Sequence, residues 1–536
     1  MAFTSFNFLV FLAVVITVYY LVPKKYQWCV LLAASYGFYL SAGIPHVLYI
    51  IGTTLFTYGG GRWMQKLRDD FQTQLKTLGD TVTKDQKKEM KKAVSAKIRR
   101  IQVCTVVVNL GVLVLIKCMN FFIGNINNAL AFFTWDASIP MVNILVPLGL
   151  SYYTFNSIGY LVDVGRGKLA AETHLGKFAL FVSFFPSIVQ GPLFRYGDVG
   201  TQLQQEHTLE YNNLKYGAQL ILWGFFKKLV IADRISAVAM TVFAPGFTGY
   251  TGSHIFVGVL AYSFQIYCDF SGGTDITRGV AQMMGITLPE NFNRPFFATS
   301  MADFWRRWHM SLGAWMREFV FYPIMLSKGV SGLSKKFRKR WGAYAGKMVP
   351  SVAAPMVVFF LIGIWHGLTW QYITNGLYNA ILISSSVALT PVYDWLAGKL
   401  HVNRECFAFR LFQMLRTFVL LCFSRIIVKA PSLGDAMQMI KALFTGWDLK
   451  FLFGLDGKLF TDYGIITRDA FVLAAAIGLL FIVGVLQERG MQIRETLASK
   501  PLVIRWGVIL ALLLIVLVFG IYGPAYDASS FIYGGF

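Results

Sequence analysis

The sequence predicts an all-α, multi-pass membrane protein, and three observations predict it. Of its 536 residues, 56% are hydrophobic and only 14% are charged, against roughly 25% charged in soluble domains. The mean hydropathy is +0.54. The charge is also unevenly placed: residues 62–100 hold twelve Lys and Arg against five Asp and Glu, and residues 328–347 hold seven basic residues and no acidic one. Both segments lie between apolar runs, where basic residues mark cytoplasmic loops. The net charge of +22 therefore reads as topology and contact with anionic membrane lipids, and it calls for no nucleic-acid partner.

Taken in order, candidate spans fall at about 6–22, 27–43, 45–60, 102–119, 143–163, 215–232, 254–271, 351–365, 369–390, 408–424, 468–486 and 503–522. That gives about 11–12 transmembrane helices, several shorter than the ~20 residues of an upright span, so tilt or re-entry is expected. Residues 1–7 lack a basic signal-peptide region, and the apolar run 8–22 ends at Lys24 and Lys25, which places the N-terminus outside. Twelve crossings put both termini outside and keep the basic segments 62–100, 328–347, 399–404 and 488–505 inside. Lys227 and Lys228, near the outer end of a span, fit this poorly. Residues 69–100 read as one charged amphipathic helix on the cytoplasmic surface.

Several local patterns carry structural expectations. Residues 147–164 form a proline-started helix with small and hydroxyl residues on one side, suited to close helix packing in lipid. Pro186 and Pro192 bracket a short apolar piece, which predicts a broken or re-entrant helix lining a cavity. Residues 224–234 carry charges that mark a helix end. Asp269 and Asp275 lie six residues apart at the end of an apolar run, about 120° apart on a helix, so they do not face one another as an acid/base pair. Asp269 is expected to cap a helix or pair with a nearby Arg.

Two histidines carry the chemistry. On a helix starting at Trp305, the residues Trp305, Trp308, Leu312 and Trp315 form an apolar stripe with His309 at its edge, and Arg306 and Arg317 lie beside it. His366 is flanked by residues 352–364 and 368–389, which contain no charge. A titratable ring inside such a segment marks a functional site by default. Neutral imidazole suits proton removal from a hydroxyl, because an apolar setting keeps it unprotonated. His46, His174, His207, His254 and His401 read as solvent-facing. The six cysteines have neither metal-ligand nor disulfide spacing. No nucleophile elbow, phosphate loop, dinucleotide fingerprint or zinc motif is present, so no metal and no bound cofactor is expected.

The two histidine segments, 303–312 and 363–367, resemble those of the membrane-bound O-acyltransferases. Within that family they are similar to the bacterial branch that acetylates alginate or transfers D-alanine to teichoic acid. Residues 147–164, 184–192, 224–234, 289–296 and the ending at 520–533 share the resemblance. After residues 317–324, however, the chain reads Met325-Leu326-Ser327-Lys328-Gly329 where the alginate branch carries a proline-glycine turn, which leaves other exopolysaccharides such as cellulose open. The resemblance implies a core at 101–430 with a central reaction chamber, preceded by N-terminal helices at 1–61 and the basic segment 62–100, and followed by C-terminal helices at 431–536. It implies His366 as the residue most tied to catalysis, with His309 as its partner, donating to a carbonyl oxygen or orienting the acceptor. Trp305, Arg306, Trp308, Arg317, Trp365 and Asn375 are the chamber-lining candidates. Lys335, Lys336, Arg338, Lys339 and Arg340 are candidates for docking the donor. The expected donor is an acyl-coenzyme A (acetyl-CoA) or a carrier-protein thioester, and the expected product an acylated, exported polysaccharide. A secreted or membrane-anchored acetyltransferase-like partner is expected to complete transfer. The competing readings are D-alanyl transfer towards teichoic acid and, from another class, a transporter or flippase. The expected location is the bacterial plasma (inner) membrane.

Overall fold

In lipid every backbone N–H and C=O must be satisfied, and a helix does this within one segment. A computed structural model describes residues 1–135, 137–245, 251–452, 454 and 458–522. The resembling C-terminal residues 523–533 therefore lie outside the described residues. Among those described there is no β-strand, and the bridge between Phe292 and Trp308 stands isolated. Each of the twelve expected spans overlaps a helix, but residues 143–149 are non-helical and fewer helices qualify as spans than the 11–12 expected. Six helices are long and apolar enough to cross a membrane singly, and seven if one pair bent by 56° is taken as one span.

The chain divides into two compact units. The first comprises Met1–Ala218 with Thr277–Pro289. It contains α1 (Phe6–Leu21), α2 (Gln27–Leu40), α3 (Ile44–Leu78), α4 (Lys84–Phe132), α5 (Leu150–Arg166) and α6 (Leu175–Ser183), and α7 (Tyr211–Phe225) begins in it. The single amphipathic helix expected over 69–100 is instead the meeting of α3 and α4. Gly79 takes a positive φ of 50°, and α4 restarts with a capping box in which Thr83 and Gln86 bond each other's backbone N–H. α5 is buried on nearly every side, from Leu150 through Leu161, as its small and hydroxyl residues predict. Residues 184–195, around the two prolines, are non-helical and mostly buried. Irregular backbone is tolerated at such a place because protein surrounds it.

The second unit comprises, among the described residues, Gln219–Ile276 and the chain from Glu290 to Tyr522. A π-helical segment, Phe226–Ala232, follows α7 and leads into α8 (Asp233–Val242) and α9 (Gly252–Met283). Lys227 and Lys228 are buried here. Lys227 Nζ donates to Ser271 Oγ at 2.9 Å and Asp275 Oδ2 at 2.7 Å. Lys228 Nζ donates to Asp233 and Asp269 at 2.7 Å each. The partner of Asp269 is thus a lysine, not the expected arginine, and the two carboxylates of α9 each serve a different lysine. The misfit of these lysines with a lipid-facing span disappears, because they face α9.

Next come α10 (Met301–Arg307), α11 (Met310–Met316), a π-helical turn at Arg317–Phe321, and α12 (Tyr322–Met325). α13 (Lys328–His366) is broken at Gly342, whose φ of 88° and ψ of 176° are non-helical. Ser334 Oγ bonds the carbonyl of Gly346 at 2.6 Å across that break. The chain continues through α14 (Trp370–Ala388), α15 (Thr390–Lys399), α16 (Phe407–Lys429), α17 (Leu433–Thr445), α18 (Leu449–Leu452), α19 (Lys458–Thr461), α20 (Thr467–Glu488), α21 (Ile493–Ala498) and α22 (Leu502–Phe519). α13 and α14 cross in close contact. A Cβ on Gly363 would sit 2.5 Å from the Tyr372 carbonyl, and one on Gly376 would sit 2.5 Å from the Phe359 carbonyl. Glycine at both positions lets the backbones touch.

Candidate active site

Both histidines belong to the second unit, and local backbone geometry brings them together. The continuous helix expected from Trp305 to Trp315 does not form. α10 ends at Arg307, Trp308 is extended, and His309 adopts φ 46°, ψ 53°, before α11 begins. The cause is an extended segment following Pro289. Asn293 N bonds Arg307 O and Met310 N bonds Asn291 O, each at 2.9 Å, so residues 291–293 pair with 307–310. A left-handed conformation in a bulky residue is costly, by about 1 kcal/mol or more. This pairing and the burial of the ring hold it in place.

The His309 side chain is 2% exposed. Its Nδ1 lies 3.1 Å from Asn291 Oδ1, and Phe270 meets its ring edge-on at 4.9 Å. Trp365 stands at 6.0 Å on another side. Trp365 in turn contacts His366 at 4.6 Å, and His366 stacks on Tyr372 at 5.9 Å. The two histidines thus flank one indole, His309 from the break between α10 and α11 and His366 from the end of α13. Burial, and secondarily the charge His366 carries when protonated, push the His309 pKa down to about 3. The ring is neutral at physiological pH.

A cavity of about 500 Å³ opens beside His309. Trp305, Arg306, Trp308 and Arg317 line it, together with an apolar wall that includes Leu312, Met316, Val358 and Ile362. Arg306 and Arg317 are exposed, which puts two cations with an apolar interior. Four of the six chamber candidates therefore share one cavity with His309. Trp365 and His366 are not among its lining residues; they stand behind His309. Asn375 belongs to a polar network: Ser424 Oγ donates to Asn375 Oδ1 at 2.6 Å, and Asn379 Nδ2 contacts the same oxygen at 3.2 Å. Asn379 Oδ1 accepts from Trp305 Nε1 at 3.1 Å, so this network holds the indole that lines the cavity. Lys335, Lys336, Arg338, Lys339 and Arg340 are all exposed on the first half of α13.

Sequence reasoning passed over several residues that support the site. Arg307 is one of them. It bonds Asp303 and makes a two-pronged pair with Glu488 of α20, at 3.1 and 3.3 Å. Arg294 reaches the same carboxylate at 2.7 Å. Arg425 of α16 lies 4.9 Å above the Trp308 ring. Asn379, Ser424, Arg425 and Glu488 come from distant segments, and nothing in local spacing announces them. Asn291 was more accessible, since it lies in a short run closed by Pro289 and Pro295 that cannot be helical. Of the histidines expected to face solvent, His174 and His401 do. The others are half-buried and bonded: His46 Nδ1 accepts from Leu148 N, His207 meets Gln202 O, and His254 lies between Thr251 and Asp462. Among the described residues no three His, Cys, Asp or Glu side chains gather as a metal site.

Comparison with known proteins follows this geometry. The family model of MBOAT, the membrane-bound O-acyltransferase family, matches residues 168–424, a range that contains both histidines. The probable alginate O-acetylase AlgI of Pseudomonas aeruginosa is 31% identical over 452 residues, covering 83% of this chain and 75% of that protein. A peptidoglycan O-acetyltransferase of Helicobacter pylori is 27% identical over 363 residues, 63% of each chain. A teichoic acid D-alanyltransferase of Bacillus subtilis is 36% identical over 250 residues, 46% of this chain and 60% of that one.

Proposed function

Since the chain belongs to the membrane-bound O-acyltransferase family, we propose that this multi-pass O-acyltransferase carries an acyl group, in the simplest case acetyl, from a cytoplasmic thioester to an exported polysaccharide. The observation that carries the reading is the pair of histidines on either side of Trp365, one buried beside a cavity with a cationic rim and the other ending an uncharged span. In the reaction, a hydroxyl oxygen attacks the thioester carbonyl while its proton passes to an imidazole nitrogen. The C–S bond then breaks, and the leaving thiolate takes the proton to become the free thiol. Arg306 and Arg317 suit the phosphates of a coenzyme A or phosphopantetheine donor. The exposed basic face at 335–340 suits an acidic carrier or the coenzyme itself. A donor made inside and a polymer modified outside require a passage between the two faces, and a partner outside the membrane completes delivery to the polymer.

Replacing His366 or His309 by Ala should leave an inserted, folded protein and lower polymer acylation by about a hundredfold or more, the scale of lost acid–base catalysis. Acyl content of the exported polymer, measured against protein level in the membrane, checks this. Wild-type acylation in both variants would overturn the reading. The similarity to a D-alanyltransferase over 46% of the chain supports a second reading, D-alanyl transfer from a carrier protein. Thiol release from acetyl-CoA, compared with release from a D-alanyl carrier thioester, separates the two. A transporter would change neither thioester, and family membership leaves that reading without support.

A further inference from the structure

The orientation of one side-chain amide settles which nitrogen of His309 carries its proton. Asn291 Oδ1 accepts from the backbone N–H of Ser311 at 3.2 Å and sits 2.8 Å from Ser311 Oγ. A backbone N–H only donates, so the atom facing it is the amide oxygen, not the nitrogen. His309 Nδ1 faces that same oxygen at 3.1 Å, and in the neutral ring it must therefore be the protonated nitrogen. Nε2 is then left with a lone pair. It is buried and has no hydrogen-bond partner among the described residues. A donor role for His309 towards a carbonyl oxygen, expected from the sequence, does not fit this tautomer.

We propose that Asn291 is a positioning residue which fixes His309 as its Nδ1–H tautomer and so makes Nε2 the hydrogen-bond acceptor that orients the attacking hydroxyl. The inference rests on the acyltransferase reading given above and assigns a role within it. A base whose far nitrogen is held by a third group is a recurrent arrangement, because the holding group selects both tautomer and ring orientation. Here the holder is neutral. It also closes the strained loop, since Asn291 O accepts from Met310 N and its side chain from Ser311. The site thus fixes the backbone and the tautomer of His309 through one residue. Proton balance is kept: the hydroxyl proton ends on the leaving thiolate, Nδ1–H stays on Asn291, and His309 is neutral before and after the step. The titratable or charged groups around this ring are His366 at the end of α13, beyond Trp365, and Arg306 and Arg317, which line the same cavity; Arg425 of α16 lies over the Trp308 ring.

The test is turnover of whichever of the two thioesters supports wild-type activity, acetyl-CoA or a carrier-protein thioester, by the full-length protein in membranes. Asn291→Ala is expected to lower kcat between about ten- and a thousandfold with little change in donor KM. Asn291→Asp keeps the acceptor oxygen for Ser311 and His309 but adds charge beside the ring. It should retain more activity than the alanine variant and move the acid limb of the pH–rate profile upward by a unit or more. An alanine variant with wild-type kcat would overturn the assignment. So would an aspartate variant with an unshifted acid limb and the activity of the alanine variant, the signature of a merely structural residue. Should Asn291→Ala fail to insert, the aspartate profile alone decides. Full acylation by His309→Ala alone would also overturn the assignment, whereas wild-type acylation by both His309→Ala and His366→Ala would remove the reading of the site itself, which keeps the two failures apart.

Discussion

At the scale of single residues, burial keeps His309 unprotonated and makes it a liability in acid. Its folded-state pKa of about 3 lies below the ordinary value near 6.5. Between those values the unfolded chain binds a proton that the folded chain refuses, so stability is fully present above pH 6.5 and declines as pH falls towards 3. The midpoint of thermal unfolding in detergent should therefore drop on acidification from pH 7 to pH 4. It should drop by less in His309→Gln, which has nothing to titrate there; parallel slopes would refute the assignment. His309 and His366 were legible because charge-poor sequence surrounds one and tryptophans flank both. The tautomer was not legible, because it depends on Asn291, which meets the ring only through a backbone pairing that periodicity does not encode.

At the scale of elements, the site segment is pinned to α20. Glu488 receives Arg294 and both prongs of Arg307, all of them only 21–26% exposed. Glu488→Gln removes the shared anion and leaves two guanidinium groups facing each other, so it should destabilise the protein by about 1–3 kcal/mol, less than for a fully buried pair because solvent screens part of it. A fall of a few degrees in the detergent melting temperature, together with reduced turnover, would show that the pin matters to the site. An unchanged melting temperature would show that it does not. Helix existence and order were largely readable from apolar runs. The breaks at Gly79, at Trp308–His309 and at Gly342 were not, because each turns on one or two residues: at two of them an exposed glycine leaves the helical backbone, and at the third residues 291–293 pair with the chain. The charge-rich stretch 69–100 illustrates this: periodicity favoured one helix, while the Thr83–Gln86 capping box starts a new one.

At the scale of the whole molecule, the distribution of basic residues makes an orientation testable. In a background lacking Cys104 and Cys406, the two exposed native cysteines, a cysteine at Lys336 should react with a membrane-impermeant maleimide only from the cytoplasmic side, and one at Thr369 only from outside. The reverse pattern would invert the proposed path of the acyl group. That the chain is helical and multi-pass could be read from composition alone, but the pairing of Lys227 with Asp275 and of Lys228 with Asp269 could not, because it joins residues 48 and 41 positions apart. That pairing bears on biogenesis. A lone segment carrying two lysines, or one carrying two aspartates, is disfavoured in the lipid interior by several kcal/mol on insertion scales. Only after the ammonium and carboxylate groups have met does either helix become a comfortable bilayer resident. Insertion of residues 219–232 is therefore expected to be more efficient with residues 252–276 present than without them.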